Sequence, residues 1–396
     1  MPWRRRPLKR GPLMRALNIA DLRALAARRV PHFAFEYVEG GAEDEATLAA
    51  NRADFARWRL LPRTLVDTNT RTLAATLLGR PLAAPLVVGP TGFNGILHAD
   101  GDVALARAAA RHGIPFTLST FSTARLEDVA RRAGGALWLQ LYVLKDRAIA
   151  RDLITRAAAA GYEALVFTTD ANVFGSREWD RRNYRTPGKP TLRTVLDILR
   201  HPRWLGRHAA CGLPRFRNLE GFLDPPSTSA LGGSTVIPRL MDASISWEDV
   251  RWMRELWRGK FLLKGVLDAR DAEEALRLGC DGVVLSNHGG RQLDYGVTGL
   301  EVLPEVARAV GKRLTLIVDG GFRRGTDIAK ALALGADAIM LGRATLYGLA
   351  AGGEAGASHA LDILFSELDR VLGELGCNAV ADLGPEFLRA AGTQVP

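Results

Sequence analysis

Residues 273–290 read EEALRLGCDGVVLSNHGG. A charged, leucine-spaced stretch stops at Gly279, and a short β-branched apolar run over 282–286 follows at once. Glycine suits the left-handed position that ends a helix, and a strand without polar alternation is one buried on both faces. The same phrase recurs at 154–170, ITRAAAAGYEALVFTTD, turning at Gly161, and at 329–343, AKALALGADAIMLGR, turning at Gly335. A repeated helix, glycine and buried strand is the mark of βα units. Followed outward, the pattern predicts strands at 86–89, 115–119, 137–143, 164–170, 261–266, 282–286, 314–319 and 337–342. Strands of this kind separated by helices require a parallel sheet, and eight of them predict an α/β protein built as a closed (β/α)8 TIM barrel. A doubly wound open sheet is the structural alternative.

Around the barrel, 18–60 predicts a helical N-terminal extension, and 343–396 the last barrel helix with a helical tail. Some 90 residues separate Asp170 from Phe261, far more than a βα connection needs. Residues 246–257 carry the barrel helix, so the rest forms a long insertion after strand 4, on the face where such barrels hold their active sites. The expected organisation is a basic unstructured arm over 1–17 and one domain over 18–396, with the insertion inside 171–244.

The net charge of +10 is local: residues 1–15 contribute +6, residues 177–217 contribute +8, and the remainder is net negative. That distribution predicts a docking surface and not a generally basic protein. The basic segments lack the aromatic platform of a nucleic-acid binder, so no nucleic-acid partner is expected. Cys211, Cys280 and Cys377 are scattered without a CxxC pair, which predicts neither a disulfide framework nor a metal site and suits a reducing, cytoplasmic compartment. No apolar run approaches the roughly 18–20 residues of a membrane span. Within the insertion, TLRTVLDILR (191–200) sets Leu192, Val195, Leu196 and Leu199 on one helical face, and a basic segment with Trp204 follows. Such a helix suits the interface of an anionic bilayer, as a peripheral anchor at the inner face of the cell membrane, or else a contact with its own barrel or another subunit.

The strand ends carry the chemistry. Strand 7 ends Asp319-Gly320-Gly321, followed by Arg323, and strand 8 ends Gly342-Arg343. Glycines admit backbone N–H groups to an anion, and arginine forks match phosphate oxygens, so these loops predict a phosphate site. Strand 6 ends in Ser286, Asn287, His288, Gly289, Gly290 and Arg291. A histidine at a strand tip takes a proton near neutral pH, and an arginine three residues on holds a carboxylate. Asp170 ends strand 4 and is placed to support an imidazolium, with Arg177 following; Lys264 ends strand 5. Strand 3 supplies Gln140 and Tyr142, and strands 1 and 2 supply Pro90, Thr91, Gly92 and Ser119. The rim predicts a bound phosphorylated cofactor beside a carboxylate substrate that loses a proton.

With SNHGGRQLD at 286–294, EGGAEDE at 39–45, GPTGFNG at 89–95, HPRW at 201–204, RLMDAS at 239–244 and LGRATLYGLAA at 341–351, the chain resembles the FMN-dependent 2-hydroxy-acid oxidases and dehydrogenases, most of all their mandelate dehydrogenase branch. The resemblance covers about residues 18–390. It implies FMN as cofactor and a small (S)-2-hydroxy acid as substrate, mandelate or another bulky acid, oxidised to the 2-oxo acid. It implies that His288 removes the α-proton, or the hydroxyl proton if hydride leaves the carbon. Asp170 would pair with the cationic imidazole, Arg291 and Tyr37 bind the carboxylate, Tyr142 bond the hydroxyl, and Arg177 add positive charge. Lys264 would lie near the flavin pyrimidine edge. Pro90, Thr91, Gly92, Ser119, Gln140, Thr168 and Ser286 would contact the ring or ribityl region, and Asp319, Gly320, Gly321, Arg323, Gly342 and Arg343 the ribityl and phosphate. Membrane quinone is the acceptor implied, and a homo-oligomer, a tetramer by analogy, the assembly. Gly92 stands where glycolate oxidases have alanine, and Phe121 where they have tryptophan, which makes room for a larger side chain. A lactate- or glycolate-type oxidase using O2, and a non-redox barrel isomerase, are the alternative readings.

Overall fold

The structure, a computed structural model, describes residues 11–178, 184–186, 189–228 and 236–392. Eight parallel strands close into a barrel in chain order: β1 Leu86–Val88, β2 Phe116–Leu118, β3 Leu137–Leu141, β4 Ala164–Thr168, β5 Lys260–Val266, β6 Gly282–Leu285, β7 Thr315–Val318 and β8 Ala338–Leu341. The ring closes where Lys264 on β5 pairs with Thr168 on β4. Each strand stops a residue or more before the end expected for it, except β5.

Val87, Trp138, Val166, Leu262, Val284, Ile317 and Met340 fill the barrel interior. Leu77 and Leu82, from the hairpin of Ala75–Leu77 and Arg80–Leu82, join that cluster and close the amino-terminal end. The alternate strand residues pack outward against the helices. That double burial is the reason the strands read as continuous apolar runs.

Three helices precede the barrel: α1 Ile19–Arg29, α2 His32–Glu39 and α3 Ala46–Ala53. Asn18 caps α1 by accepting from the Asp21 amide, and Ile19, Leu22 and Ala26 are buried. The arm expected over 1–17 is ordered at its end: Pro12–Arg15 forms a turn of 3-10 helix, Ala16 is buried, and its carbonyl meets His359 Nε2 at 2.9 Å. Residues 1–10 lie outside the described residues.

The insertion folds as helices α4 Leu192–Leu199 and α5 Pro202–Cys211. Helix α4 is oriented against the usual rule. Its Thr194 is buried, Asp197 Oδ2 accepts from the His32 amide at 2.6 Å, and Leu192, Leu196 and Leu199 are 76%, 48% and 59% exposed. A helix serving only its own barrel would turn its apolar side inward. Helix α5 is fastened to the loop after β1. Trp204 Nε1 donates to the Ile96 carbonyl at 2.8 Å, and His208 Nε2 lies 2.7 Å from that of Gly95. Ser246 caps the barrel helix Trp247–Leu256 with a capping box, as the boundary at 246 predicts.

Candidate active site

The turn after β6 aims His288 into the barrel mouth. His288 is left-handed, φ 59°, and Gly289 and Gly290 follow at 65° and 74°. A left-handed histidine carries a backbone cost, and such residues cluster at functional sites. The Ser286 hydroxyl accepts from the His288 amide at 3.0 Å and holds the turn. His288 Nδ1 lies 2.9 Å from Asp170 Oδ1, and Nε2 lies 3.1 Å from the Tyr142 hydroxyl. A carboxylate only accepts, so Nδ1 carries the proton, and the Nε2 lone pair faces Tyr142 and the cavity. Asp170 reaches this place because β5 bulges between Lys264 and Val266. Gly265 there has φ 105°, and a Cβ on it would stand 2.6 Å from that of Asp170.

Burial pushes the His288 imidazole below its ordinary value; Asp170 opposes this, and Lys264 and Arg177 add to it. Burial pulls the Asp170 carboxyl upward, but His288 and then Lys264 outweigh it and hold the group below the usual carboxylate range. Tyr142 is pushed far up, first by burial and then by Asp170, and keeps its proton. The trio therefore offers a neutral base with a buried anion behind it.

If His288 must be unprotonated to act, activity falls as pH drops through its pKa. The acid limb of kcat/KM should lie below the ~6.5 of an ordinary imidazole. Asp170→Asn removes the anion that holds the value up, so the limb should move to still lower pH while kcat falls about a thousandfold. Dye-reduction rates across about pH 4.5–8.5, two units either side of that value, check both; an acid limb above it would contradict the assignment.

Arg291 and Tyr37 stand on the same wall. The Arg291 guanidinium lies 5.3 Å over the Tyr37 ring and donates to the Gly40 carbonyl at 2.7 Å, while the Tyr37 hydroxyl donates to that of Gly92 at 3.0 Å. Arg177 lines the cavity with its guanidinium 5.4 Å over Phe174. Phe121 stacks on Tyr142 at 5.1 Å. Phe216, from the insertion, meets Phe121 at 5.7 Å and Phe93 at 5.2 Å. Ile237 and Pro238, also from the insertion, complete this apolar wall. Sequence reasoning missed Phe174, Phe216, Ile237 and Pro238, which stand in irregular sequence with no periodicity to mark them. Phe93 sits inside the quoted 89–95 stretch but was not singled out there either.

The cavity measures about 850 Å³ and continues to the glycine loops after β7 and β8. The Lys264 ammonium is buried, donates to Ser286 Oγ at 2.7 Å and pairs with Asp319 Oδ2 at 3.0 Å. Burial lowers its pKa, but Asp319 and Asp170 together raise it further, so it stays cationic. Asp319 Oδ1 is buried without a hydrogen-bond partner, an acceptor that a ribityl hydroxyl would satisfy. Arg323 lies 3.1 Å from the Tyr347 hydroxyl. Arg343 donates to the Val38, Gly40 and Gly289 carbonyls at 2.8, 3.0 and 2.8 Å, which ties the end of α2 to the barrel and leaves two of its five N–H groups for a ligand. An apolar wall at one end and, at the other, Arg323 and Arg343 beside the left-handed Gly320 and Gly321 fit FMN.

Of the expected site residues, Asp170, Gln140, Thr168 and Ser286 stand behind the cavity wall and the others line it. Gln140 Nε2 donates to Thr168 Oγ1 at 2.9 Å and its Oε1 accepts from Ser119 Oγ at 3.1 Å, so these support the floor.

The family model for FMN-dependent dehydrogenases matches residues 26–390. (S)-mandelate dehydrogenase of Pseudomonas putida is 46% identical over 376 residues, 95% of this chain and 94% of that protein. An L-lactate dehydrogenase of Yersinia pestis (strain Pestoides F) is 41% identical over 371 residues, 93% of this chain and 97% of that protein. Among solved structures, one described as the monotopic membrane protein (S)-mandelate dehydrogenase matches with TM-score 0.90 at 45% identity, covering 95% of this chain and 100% of that one. A mandelate oxidase variant with (S)-mandelic acid matches with TM-score 0.79 at 34% identity, covering 96% and 100%.

Proposed function

The chain belongs to the FMN-dependent dehydrogenase family, and we propose that it oxidises an aromatic (S)-2-hydroxy acid of the mandelate type to the 2-oxo acid at the cytoplasmic face of a membrane, with quinone as acceptor. Oxidation of the CH–OH group of a 2-hydroxy acid with FMN is the activity it shares with its relatives. The observation that carries the chemistry is the Asp170–His288–Tyr142 chain with Arg291 on the same cavity.

FMN, when bound, supplies a two-electron acceptor beside the substrate carbon. Arg291 and Tyr37 hold the carboxylate, a planar fork against a planar anion. Tyr142 bonds the substrate hydroxyl. His288 takes the proton at Nε2, and Asp170 stabilises the imidazolium at Nδ1. Lys264 keeps a buried positive charge on the cavity wall, where it would favour negative charge on a bound flavin.

The aromatic side chain is argued from the Phe93, Phe121 and Phe216 cluster, which offers ring edges and faces to a phenyl group. Anaerobic addition of (S)-mandelate should bleach the yellow protein, (R)-mandelate should not, and L-lactate should act more slowly. Phe216→Ala should cut kcat/KM for mandelate about 10- to 100-fold and for lactate less than about threefold. Equal losses would sink the aromatic reading. Fast peroxide release on admitting air would favour the oxidase.

Membrane docking is supported by the outward apolar face of α4 and by the relative described as monotopic. Arg193 on α4, Arg200 at its end and Arg203 and Arg207 on α5 are exposed and suit anionic headgroups.

A further inference from the structure

Behind the cavity lies a buried amide pair with no direct part in the proton transfer. Asn51 Nδ2 donates to Asn287 Oδ1 at 2.9 Å, and Asn287 Nδ2 donates back to Asn51 Oδ1 at 3.0 Å. Both side chains are buried. Asn287 precedes His288, and its Oδ1 also accepts from the Gly290 amide at 3.1 Å, so it sets the left-handed turn that aims the imidazole.

Asn51 has a second neighbour. Gly320 and Gly321, both left-handed at φ 95° and 81°, lie directly on it. A Cβ on Gly320 would stand 2.7 Å from Asn51 Oδ1, and one on Gly321 would collide with the Asn51 carbonyl. The next residue, Arg52, donates to the Gly321 carbonyl and pairs with Asp327 at 2.8 Å. At the other end of α3, Asp294 accepts from the Ala46 and Thr47 amides at 3.2 and 2.7 Å. Helix α3 therefore bridges two loops, the one that carries His288 and the one read as the phosphate cradle.

We infer that Asn51 is a positioning residue that couples the phosphate loop to the histidine turn, so that filling the cradle at Gly320 and Gly321 fixes the aim of His288. A buried amide pair suits such coupling. Gly320 and Gly321 pack on Asn51, so a shift of that loop displaces Asn51. Asn51 in turn holds the histidine turn through Asn287, whose Nδ2 otherwise donates to the Val297 carbonyl at 3.1 Å. Breaking the pair leaves buried polar groups unsatisfied. The inference rests on the reading of Gly320 and Gly321 as a phosphate cradle.

The probe is inorganic phosphate, which fills the cradle without touching the ring end of the cavity. In the FMN-free protein, phosphate should slow amide exchange both at 320–325 and at 286–294. In Asn51→Ala it should slow exchange at 320–325 only. Holo Asn51→Ala, saturated with FMN, should show kcat lowered about tenfold with substrate KM within about twofold, and an FMN Kd raised about tenfold. A merely structural role would lower thermal stability and leave kcat at saturation unchanged. Asn51→Ser, which keeps a small polar group, serves if the alanine variant does not fold.

Protection at 320–325 without a response at 286–294 in the unmodified protein overturns the coupling and leaves the cradle standing. A response at 286–294 that survives in the variants also overturns it, and assigns the link to Arg343, which donates to the Gly289 carbonyl at 2.8 Å. No response at either segment overturns the cradle itself, and the coupling with it.

Discussion

His288→Asn should retain the yellow, FMN-loaded protein and lose about ten-thousandfold in kcat/KM for the hydroxy acid. Asparagine is chosen because it tolerates the left-handed backbone at φ 59°, which alanine resists. The turn, the Ser286 contact and the Asn51 pair should then survive, and with them the Lys264–Asp319 pair at 3.0 Å. What disappears is the Nε2 lone pair. Tyr142 and Lys264 do not replace it: Tyr142 is held protonated by burial and by Asp170, and Lys264 is held cationic. Neither accepts a proton at working pH. The Asp170 carboxylate stands behind the cavity wall, out of reach of the substrate carbon. Stopped-flow reduction of the bound flavin by (S)-mandelate measures the loss directly. A variant that loses its colour would move His288 from proton transfer to folding, and one that still bleaches within about tenfold of the unmodified rate would remove it from the chemistry.

The barrel was legible because its strands have no polar side. A run such as that of β6, Gly282–Leu285, is buried at every position and states its environment without a partner strand in view. The strand tips were legible for the converse reason, since Ser286, His288, Asp319 and Arg343 interrupt apolar runs where nothing in packing asks for polarity. What such a reading gives is an address and not a direction. Nothing in the sequence around Arg343 says that three of its donors reach carbonyls at 38, 40 and 289, because those contacts depend on how the N-terminal extension crosses the barrel mouth. The same crossing hid Asn51, an ordinary helical asparagine until α3 is laid against the β6 and β7 loops. The insertion was legible only where it is periodic. Its leucine stripe could be read, while Phe216 reaches the cavity from irregular chain and Ile237 from a short helical segment at 236–240, both placed by anchors such as the Trp204 indole on the Ile96 carbonyl. Residues 12–16 are ordered where their surroundings suggested an unstructured arm because Leu13 packs against Gly352, at the break in the long helix Arg343–Leu375, and local composition carries no trace of that contact.

Leu196→Glu with Leu199→Glu should move the protein from the membrane fraction to the soluble fraction while it continues to reduce a soluble dye with the hydroxy acid. Both side chains are on the outward face of α4, 48% and 59% exposed, so the substitution costs little within the fold. The helix is held from its other side by Thr194, by Ile198 and by the Asp197 contact with the His32 amide at 2.6 Å. Withdrawing two leucines from a bilayer removes roughly 1–2 kcal/mol each, and two carboxylates beside anionic headgroups add repulsion, so the partition should fall by about a hundredfold or more. High salt alone should do less, since it screens Arg193, Arg200, Arg203 and Arg207 but leaves the apolar contact intact. Excising 187–235 would be the poorer experiment. It would also remove Trp204 and His208, which fasten the loop after β1, and Phe216, which lines the cavity, so that lost activity and lost docking could not be told apart. If the double glutamate variant sediments with membranes as fully as the unmodified protein, at low salt and at high, the stripe on α4 is not the anchor. Its inverted orientation must then be met by another subunit, and the oligomeric state of the variant would be the quantity that changes.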